Sequence, residues 1–261
     1  MIRRWTTARA GMACLLVAAL VVGCAGMAAF DTVESLMREG QALYLEKKYD
    51  EAAVKFEQVL LKESTYWMAY LSIARCYIAK GDWLPAIANA RKAFQLSPSG
   101  VDVVTVFGES LFGGGLDAFK KGQFSDAVQH FVEYIRVKPS DPKGYLSAGR
   151  AYLGNGAFGE ALRSFMQGFG QAGGGEARQE LIQGLLDGGL AALSNGSARD
   201  AIGFLQQYLQ HDTANLSALL GLGKAYWQSG EMLQALGAFR RALELSPGND
   251  EAQRLLRGLL R

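Results

Sequence analysis

Few residues in this 261-residue chain combine type and spacing in a way that could do chemistry. The three cysteines, Cys14, Cys24 and Cys76, lie far apart, and neither histidine, His130 or His211, has a Cys, His or carboxylate neighbour at metal-ligand spacing. A base or nucleophile needs a partner to activate it, and no nucleophile elbow, P-loop or dinucleotide fingerprint occurs. The glycine triplets at 113–115 and 173–175 lack the strand–loop–helix context of a phosphate cradle. The 25 acidic residues allow many carboxylate pairs, and nothing marks one out. We therefore assign no catalytic residue, metal ligand or cofactor, and read both histidines as surface residues on second helices or their ends. What remains is the chemistry of recognition. Three cations, Arg75, Arg150 and Lys224, recur 75 and 74 residues apart. Cations at a fixed period suit capture of acidic side chains or a terminal carboxylate, or they are solvated surface charges.

Each cation follows a residue that belongs to a longer pattern. Gly40, Ala74, Gly115, Gly149, Gly189 and Gly223 stand twelve residues before Ala52, Ala86, Ala127, Ala161, Ala201 and Ala235. All twelve positions are small, and the spacing never slips within a copy. Small residues let two helix backbones approach closely. Phe56, Phe131, Phe165, Leu205 and Phe239 lie four residues after the alanines, on the same helix face. Gly81, Gly122, Gly156, Gly196 and Gly230 fall at the expected turn, where positive φ favours glycine. Pro98, Pro139 and Pro247 fall where a second helix must stop.

These residues resemble the tetratricopeptide repeat (TPR) pattern: a period of 34, a Gly/Ala–x11–Ala pair, a following aromatic and a late proline. The resemblance implies an all-α superhelix of six helical hairpins over residues 33–66, 67–100, 108–141, 142–175, 182–215 and 216–249. It implies a right-handed coil whose concave wall is built by first helices, and a protein-binding module rather than an enzyme. Residues 250–261 read as a capping helix. The fifth copy is weakest, with Ala198 in place of the turn aromatic and Thr213 in place of the proline.

The copies also pair. Extra residues at 101–107 and 176–181 read as added turns before the first helices of the third and fifth copies. Tyr77, Tyr152 and Tyr226 mark first helices of even copies, whereas Tyr134 and Tyr208 mark second helices of odd copies. In the last four copies one aromatic and one small residue exchange places, as close packing favours. Three units of about 74 residues result; the pairing either serves recognition or only sets superhelix curvature. The triplet at 113–115 falls inside a predicted helix, where it should weaken the helix or allow a close contact.

Residues 1–23 carry Arg3, Arg4 and Arg9 and then an apolar run to Val22, a signal-peptide pattern too short for a comfortable span. The run ends in Val21-Val22-Gly23-Cys24, which resembles a bacterial lipobox. That resemblance implies lipidation of Cys24, a membrane anchor and a tether over 24–32; the other reading is an ordinary cleavage site or uncleaved anchor. Asp31, with Glu34 as capping-box partner, would start the first helix. The tether of about seven residues would then reach roughly 25 Å at most. Ala25 rather than Asp follows the cysteine, which in a Gram-negative host implies the outer membrane, facing the periplasm. Loss of the three arginines would move net charge from +2 to −1. No case for nucleic acid or a polybasic membrane surface survives. Cys76 would be the one unmodified cysteine of the mature chain, and reads as a small buried hydrophobe.

If first helices form the concave wall, its floor is apolar. The positions three before and four after each small residue include Tyr44, Ile78, Phe112, Phe119 and Trp227, and the position just after it holds the cations in even copies and Gln41, Leu116 and Leu190 in odd ones. The apolar positions could take an amphipathic or extended, acidic protein segment, or could pack first helices together. The combined expectation is a lipid-anchored adaptor that helps assemble a cell-envelope complex of the pilus, secretion or outer-membrane type. The alternative is a non-catalytic regulator or localiser of a cell-wall or polysaccharide enzyme.

Overall fold

The computed structural model describes residues 32–260, and everything expected of residues 1–31, including Cys24 and Asp31, lies outside them. Among the described residues the chain is all helical. Six hairpins follow in order: α1 (Val33–Leu45) with α2 (Tyr49–Lys62), α3 (Trp67–Lys80) with α4 (Trp83–Leu96), α5 (Val101–Lys120) with α6 (Phe124–Val137), α7 (Pro142–Gly154) with α8 (Phe158–Gln171), α9 (Gly175–Ser194) with α10 (Ala198–Leu209), and α11 (Leu216–Gln228) with α12 (Met232–Leu245). A final helix, α13 (Asp250–Leu259), packs on α12. Every helix touches the next along the chain, so the core runs as a ribbon through the stack.

The hairpins close on the small residues. All six alanines of the repeat are completely buried. Opposite them, a Cβ added to Gly40, Gly115, Gly149, Gly189 or Gly223 would stand 2.4–2.6 Å from Phe56, Phe131, Phe165, Leu205 or Phe239 respectively. The second copy solves the same problem from the other side. There the first-helix residue is Ala74, which has a Cβ, and the second-helix position is Ala90; both are fully buried. A side chain as large as Phe or Leu is met by a bare glycine, and where the first-helix residue carries a methyl group its partner is no larger than alanine.

Each turn takes one left-handed residue. Gly81, Gly122, Gly156, Gly196 and Gly230 have φ of 73–84°. In the first copy Lys47 holds that conformation at φ 63°, a position that costs a side-chain-bearing residue about 1–2 kcal/mol.

The first helices of the third and fifth copies each run 20 residues, against 13 or 14 for the other first helices, so residues 101–107 and 176–181 are helical extensions. The glycine triplet inside α5 makes close contacts on both sides. Gly113 meets the Trp83 ring, Gly114 meets Ile87, and Gly115 meets Phe131, so α4 and α6 both approach the α5 backbone. The cap of α1 differs from expectation. Thr32 is the N-cap: the Ser35 amide donates to its hydroxyl oxygen at 3.1 Å, and the Ser35 hydroxyl donates to its carbonyl at 3.0 Å. Thr32 has extended backbone and Val33 is already helical, so the cap lies one residue later than Asp31.

The third and fifth copies are fastened to the copies that follow them through tyrosines. Buried Tyr134 donates to Asp141 Oδ2 at 2.5 Å, and the Asp141 Oδ1 accepts from the Lys143 amide at the start of α7. Buried Tyr208 donates to Asp212 at 3.0 Å and accepts from Asn215, whose side-chain oxygen caps α11. The side chain that fills the joint therefore also braces the loop into the next copy.

Candidate partner-binding face

The concave candidates stand on α1, α3, α5, α7, α9 and α11, and most of their apolar surface is spent inside the stack. Tyr44 lies 5.4 Å from Tyr49 between ring centroids. Phe112 lies 5.7 Å from Phe131 and 5.2 Å from Tyr134, and Phe119 lies 5.4 Å from Phe124. Ile78 packs with the core around Leu71 and Ala74. Trp227 stands edge-on to Phe239 and supports α13, whose Gly258 approaches the indole closely. These five side chains are half-buried. Packing of first helices onto the second helices of their own hairpins therefore takes up most of the floor, leaving Leu116 and Leu190, each 37% exposed, as its solvent-facing leucines in odd copies.

The three cations do not stand alone. Arg75 faces Asp102 at 3.8 Å, Arg150 faces Glu180 at 3.9 Å, and Lys224 donates to Glu251 at 2.6 Å. Asp102 and Glu180 belong to the extensions of α5 and α9, and Glu251 to the first turn of α13. Each cation thus meets an acid on the helix that follows its own repeat pair. The contact holds the Glu251 carboxyl below its usual range, chiefly through the hydrogen bond from Lys224. The first two pairs are long and exposed, a geometry worth little in water. The acids carry no signal in the repeat, since they lie 27 or 30 residues beyond their cations, across a joint of varying length.

Between the first two copies a small cleft of about 40 Å³ is lined by Gln41, Tyr44, Phe56, Ser72 and Arg75. It brings together two of the candidates, Tyr44 and Arg75. Burial raises the Tyr44 phenol above its ordinary range, against the lowering influence of Arg75. The tyrosine there stays protonated and can donate a hydrogen bond at neutral pH.

Other polar groups serve the stack. Arg91 on α4 makes a two-pronged pair with Glu133 on α6, at 3.0 and 2.7 Å. Lys80 joins Asp50 and Asp82 across the first two turns, at 2.6 and 3.0 Å. His211 stacks on Phe169 at 5.0 Å, and the Arg178 guanidinium lies 5.2 Å from the same ring. His130 is half-buried, and burial lowers its pKa. Cys76 is buried on α3, and burial pushes its thiol up to about 11. Among the described residues no group of three or more His, Cys, Asp or Glu is placed to hold a metal, and no helix is long and apolar enough to cross a membrane.

Comparison with known proteins agrees with this architecture. One tetratricopeptide repeat model matches residues 192–259, and a second model of the same description matches residues 112–175. The chain is a tetratricopeptide repeat protein. Superkiller complex protein 3 of Mus musculus is 24% identical over 82% of this chain, which spans 19% of that relative's length. The solved structure of Naa15/Naa10 bound to HypK-THB superposes with a TM-score of 0.55 at 14% identity, over 88% of this chain and 34% of that one. YrrB, described as a TPR protein with an unusual peptide-binding site, aligns over 77% of this chain and 97% of its own at 15% identity, with a TM-score of 0.44. At these identities the likeness to solved structures is one of fold. The ion-paired cations of this chain stand on its first helices.

Proposed function

We propose that this protein is a membrane-anchored tetratricopeptide repeat adaptor that binds a protein partner and assists assembly of a cell-envelope complex, without chemistry of its own. The observation that carries the reading is the order of residues ahead of the repeats. Arg3, Arg4 and Arg9 precede an apolar run that ends in Val21-Val22-Gly23-Cys24, and only seven residues separate Cys24 from Thr32. A lipid on Cys24 would hold the first hairpins near the bilayer, at the outer membrane facing the periplasm in a Gram-negative host. The stack would then present its first-helix face to a partner. Several weak contacts along one stack add through effective concentration.

On that face an acidic partner segment would exchange with Asp102, Glu180 and Glu251 for the cations Arg75, Arg150 and Lys224. Leu116 and Leu190 would supply apolar contact between them. The exchange is most accessible at Arg75 and Arg150, whose pairs are longest.

Metabolic labelling with a fatty acid, followed by fractionation of wild type and Cys24→Ser, tests the anchor. Label on the wild type, and release of the variant from membranes, is the expected result. Absence of label together with unchanged membrane association refutes the lipoprotein reading. Crosslinking from membranes then separates an envelope channel partner from a soluble cell-wall or polysaccharide enzyme. The charge-reversed triple variant Arg75→Glu, Arg150→Glu, Lys224→Glu should lose that crosslink. Full retention removes the cations from the binding site.

A further inference from the structure

At the joint between the second and third copies the stack opens into a cleft of about 770 Å³. Its origin lies in where one aromatic ring rests. In the third copy the turn aromatic, Phe124, packs on Gly154, five residues after the small residue Gly149 of the next copy. Trp83, its counterpart in the second copy, packs instead on Gly113, two residues before Gly115. The ring is thus drawn about two helical turns towards the start of α5. The last turns of α5, with Asp117, and Lys121 just after the helix are left uncovered, and Asp126 and His130 of α6 form the far wall.

The lining is acidic. Asp82, Asp117 and Asp126 face the cleft against a single cation, Lys121, which is committed to Asp117 at 2.6 Å. Asp82 already shares Lys80 with Asp50. Among the described residues Asp126 makes no ion pair, and its side chain is exposed. Trp83 is half-buried, held from below by Gly113, and borders the same space. An aromatic face beside the Asp126 carboxylate, whose charge already acts on His130 in the same cleft, attracts a planar cation, which can stack and form two-pronged hydrogen bonds together. Exposed Leu84 lies beside the indole and offers apolar surface to an aliphatic stem.

We propose that this cleft is a second docking site, distinct from the first-helix face, and that it takes an arginine-bearing segment of a protein partner. The guanidinium lies against Trp83 and within reach of Asp126 and Asp117. The volume suits a few residues of extended chain rather than one side chain alone. The sign of charge is opposite to that of the first-helix cations, so the two surfaces select different segments.

The test uses the full chain in non-ionic detergent and two blocked peptides, Ac-Gly-Arg-Gly-Arg-Gly-NH2 and the same sequence with citrulline, which keeps the shape and removes the charge. Calorimetric titration should show the arginine peptide binding at least about tenfold more tightly than its citrulline counterpart. Asp126→Asn should weaken it by about threefold or more, with Asp117→Asn adding to the loss, while Glu244→Gln, an exposed acid on the distant α12, leaves it unchanged. A change in tryptophan emission on binding should vanish in Trp83→Phe. Equal binding of the two peptides, equal binding by Asp126→Asn, or no binding at millimolar peptide overturns the proposal. Asp126 is exposed, so its variant reports on the cleft even where a change at Trp83 disturbs packing. Loss of binding in Asp102→Asn, with Asp126→Asn unaffected, would assign the peptide to the acids of the first-helix face and overturn this site alone.

Discussion

Gly149 and Phe165 are sixteen residues apart and form one contact: a Cβ built on Gly149 would stand 2.4 Å from Phe165 Cε1. The same spacing joins Gly40 to Phe56, Gly115 to Phe131, Gly189 to Leu205 and Gly223 to Phe239. Ala74 and Ala90 are the sixth pair, and there the large side chain has gone because the small one carries a methyl group. The two positions are therefore chosen together: a large side chain is tolerated on the second helix only opposite a glycine on the first.

Gly149→Ala should lower stability by about 1–3 kcal/mol, since the added carbon overlaps a fully buried ring. Phe165→Ala should cost about 3–5 kcal/mol through the cavity it leaves. The double variant should lose measurably less than the two changes summed, because the new methyl group enters the vacated space. Denaturant midpoints of the four proteins check this; strict additivity would mean that the two residues do not share one volume.

The turn of the first hairpin predicts a gain. Lys47 is the one non-glycine among the described residues with positive φ. Lys47→Gly should raise stability by up to about 1 kcal/mol, the strain relieved being partly offset by glycine's greater freedom when unfolded. Gly81→Ala, at φ 77° with nothing within 4 Å of the added carbon, should lower it by about 1–2 kcal/mol through the backbone alone. Thermal melts of both variants beside the wild type decide the matter.

Cys76 gives a pH dependence whose sign is fixed by burial. Its thiol is raised from 9.0 to about 11, so the folded protein keeps the proton after the unfolded chain has lost it. Protonation therefore supports the fold fully below about pH 9. That contribution declines as pH climbs towards 11. Cys76→Ala should remove this component of the alkaline decline, measured as denaturant midpoint against pH. The wild-type thiol should react with a maleimide at pH 7 far more slowly in the folded state than in denaturant.

Tyr134→Phe should destabilise the joint between the third and fourth copies by about 1.5–3 kcal/mol, since it leaves the ring but removes a hydrogen bond to a carboxylate. Hydrogen exchange at the start of α7 should speed up more than exchange in α1. Uniform acceleration along the chain would mean that the bond acts on global rather than joint stability.

Much of this architecture was legible because it rests on residues with few alternatives. A left-handed turn selects glycine, and five of the six hairpin turns have it; the sixth was silent because Lys47 carries no mark of its conformation. The extensions of α5 and α9 showed as slips in an otherwise fixed spacing. The helix start was less certain, since Asp31 and Thr32 are both competent caps and only the backbone path chooses between them. At the candidate face, periodicity placed the cations correctly on first helices but could not reveal Asp102, Glu180 or Glu251. Those partners depend on the register between successive repeat pairs, which no local pattern encodes. At Trp83 an aromatic was expected, but its rest on Gly113 depends on how α4 meets α5, which the spacing does not encode.

The sixteen-residue contact also acts as a gauge block. A residue added to any turn between paired helices would carry Phe165 or its counterparts out of register with the glycine each must cover, whereas residues 101–107 and 176–181 were accommodated without disturbing a single one of those pairings. Slack in this molecule lies at its joints. A reporter loop or affinity tag introduced near 98–100 or 172–174 meets a place where length is already variable, and the same insertion at 47 or 81 meets one where length is the quantity being measured.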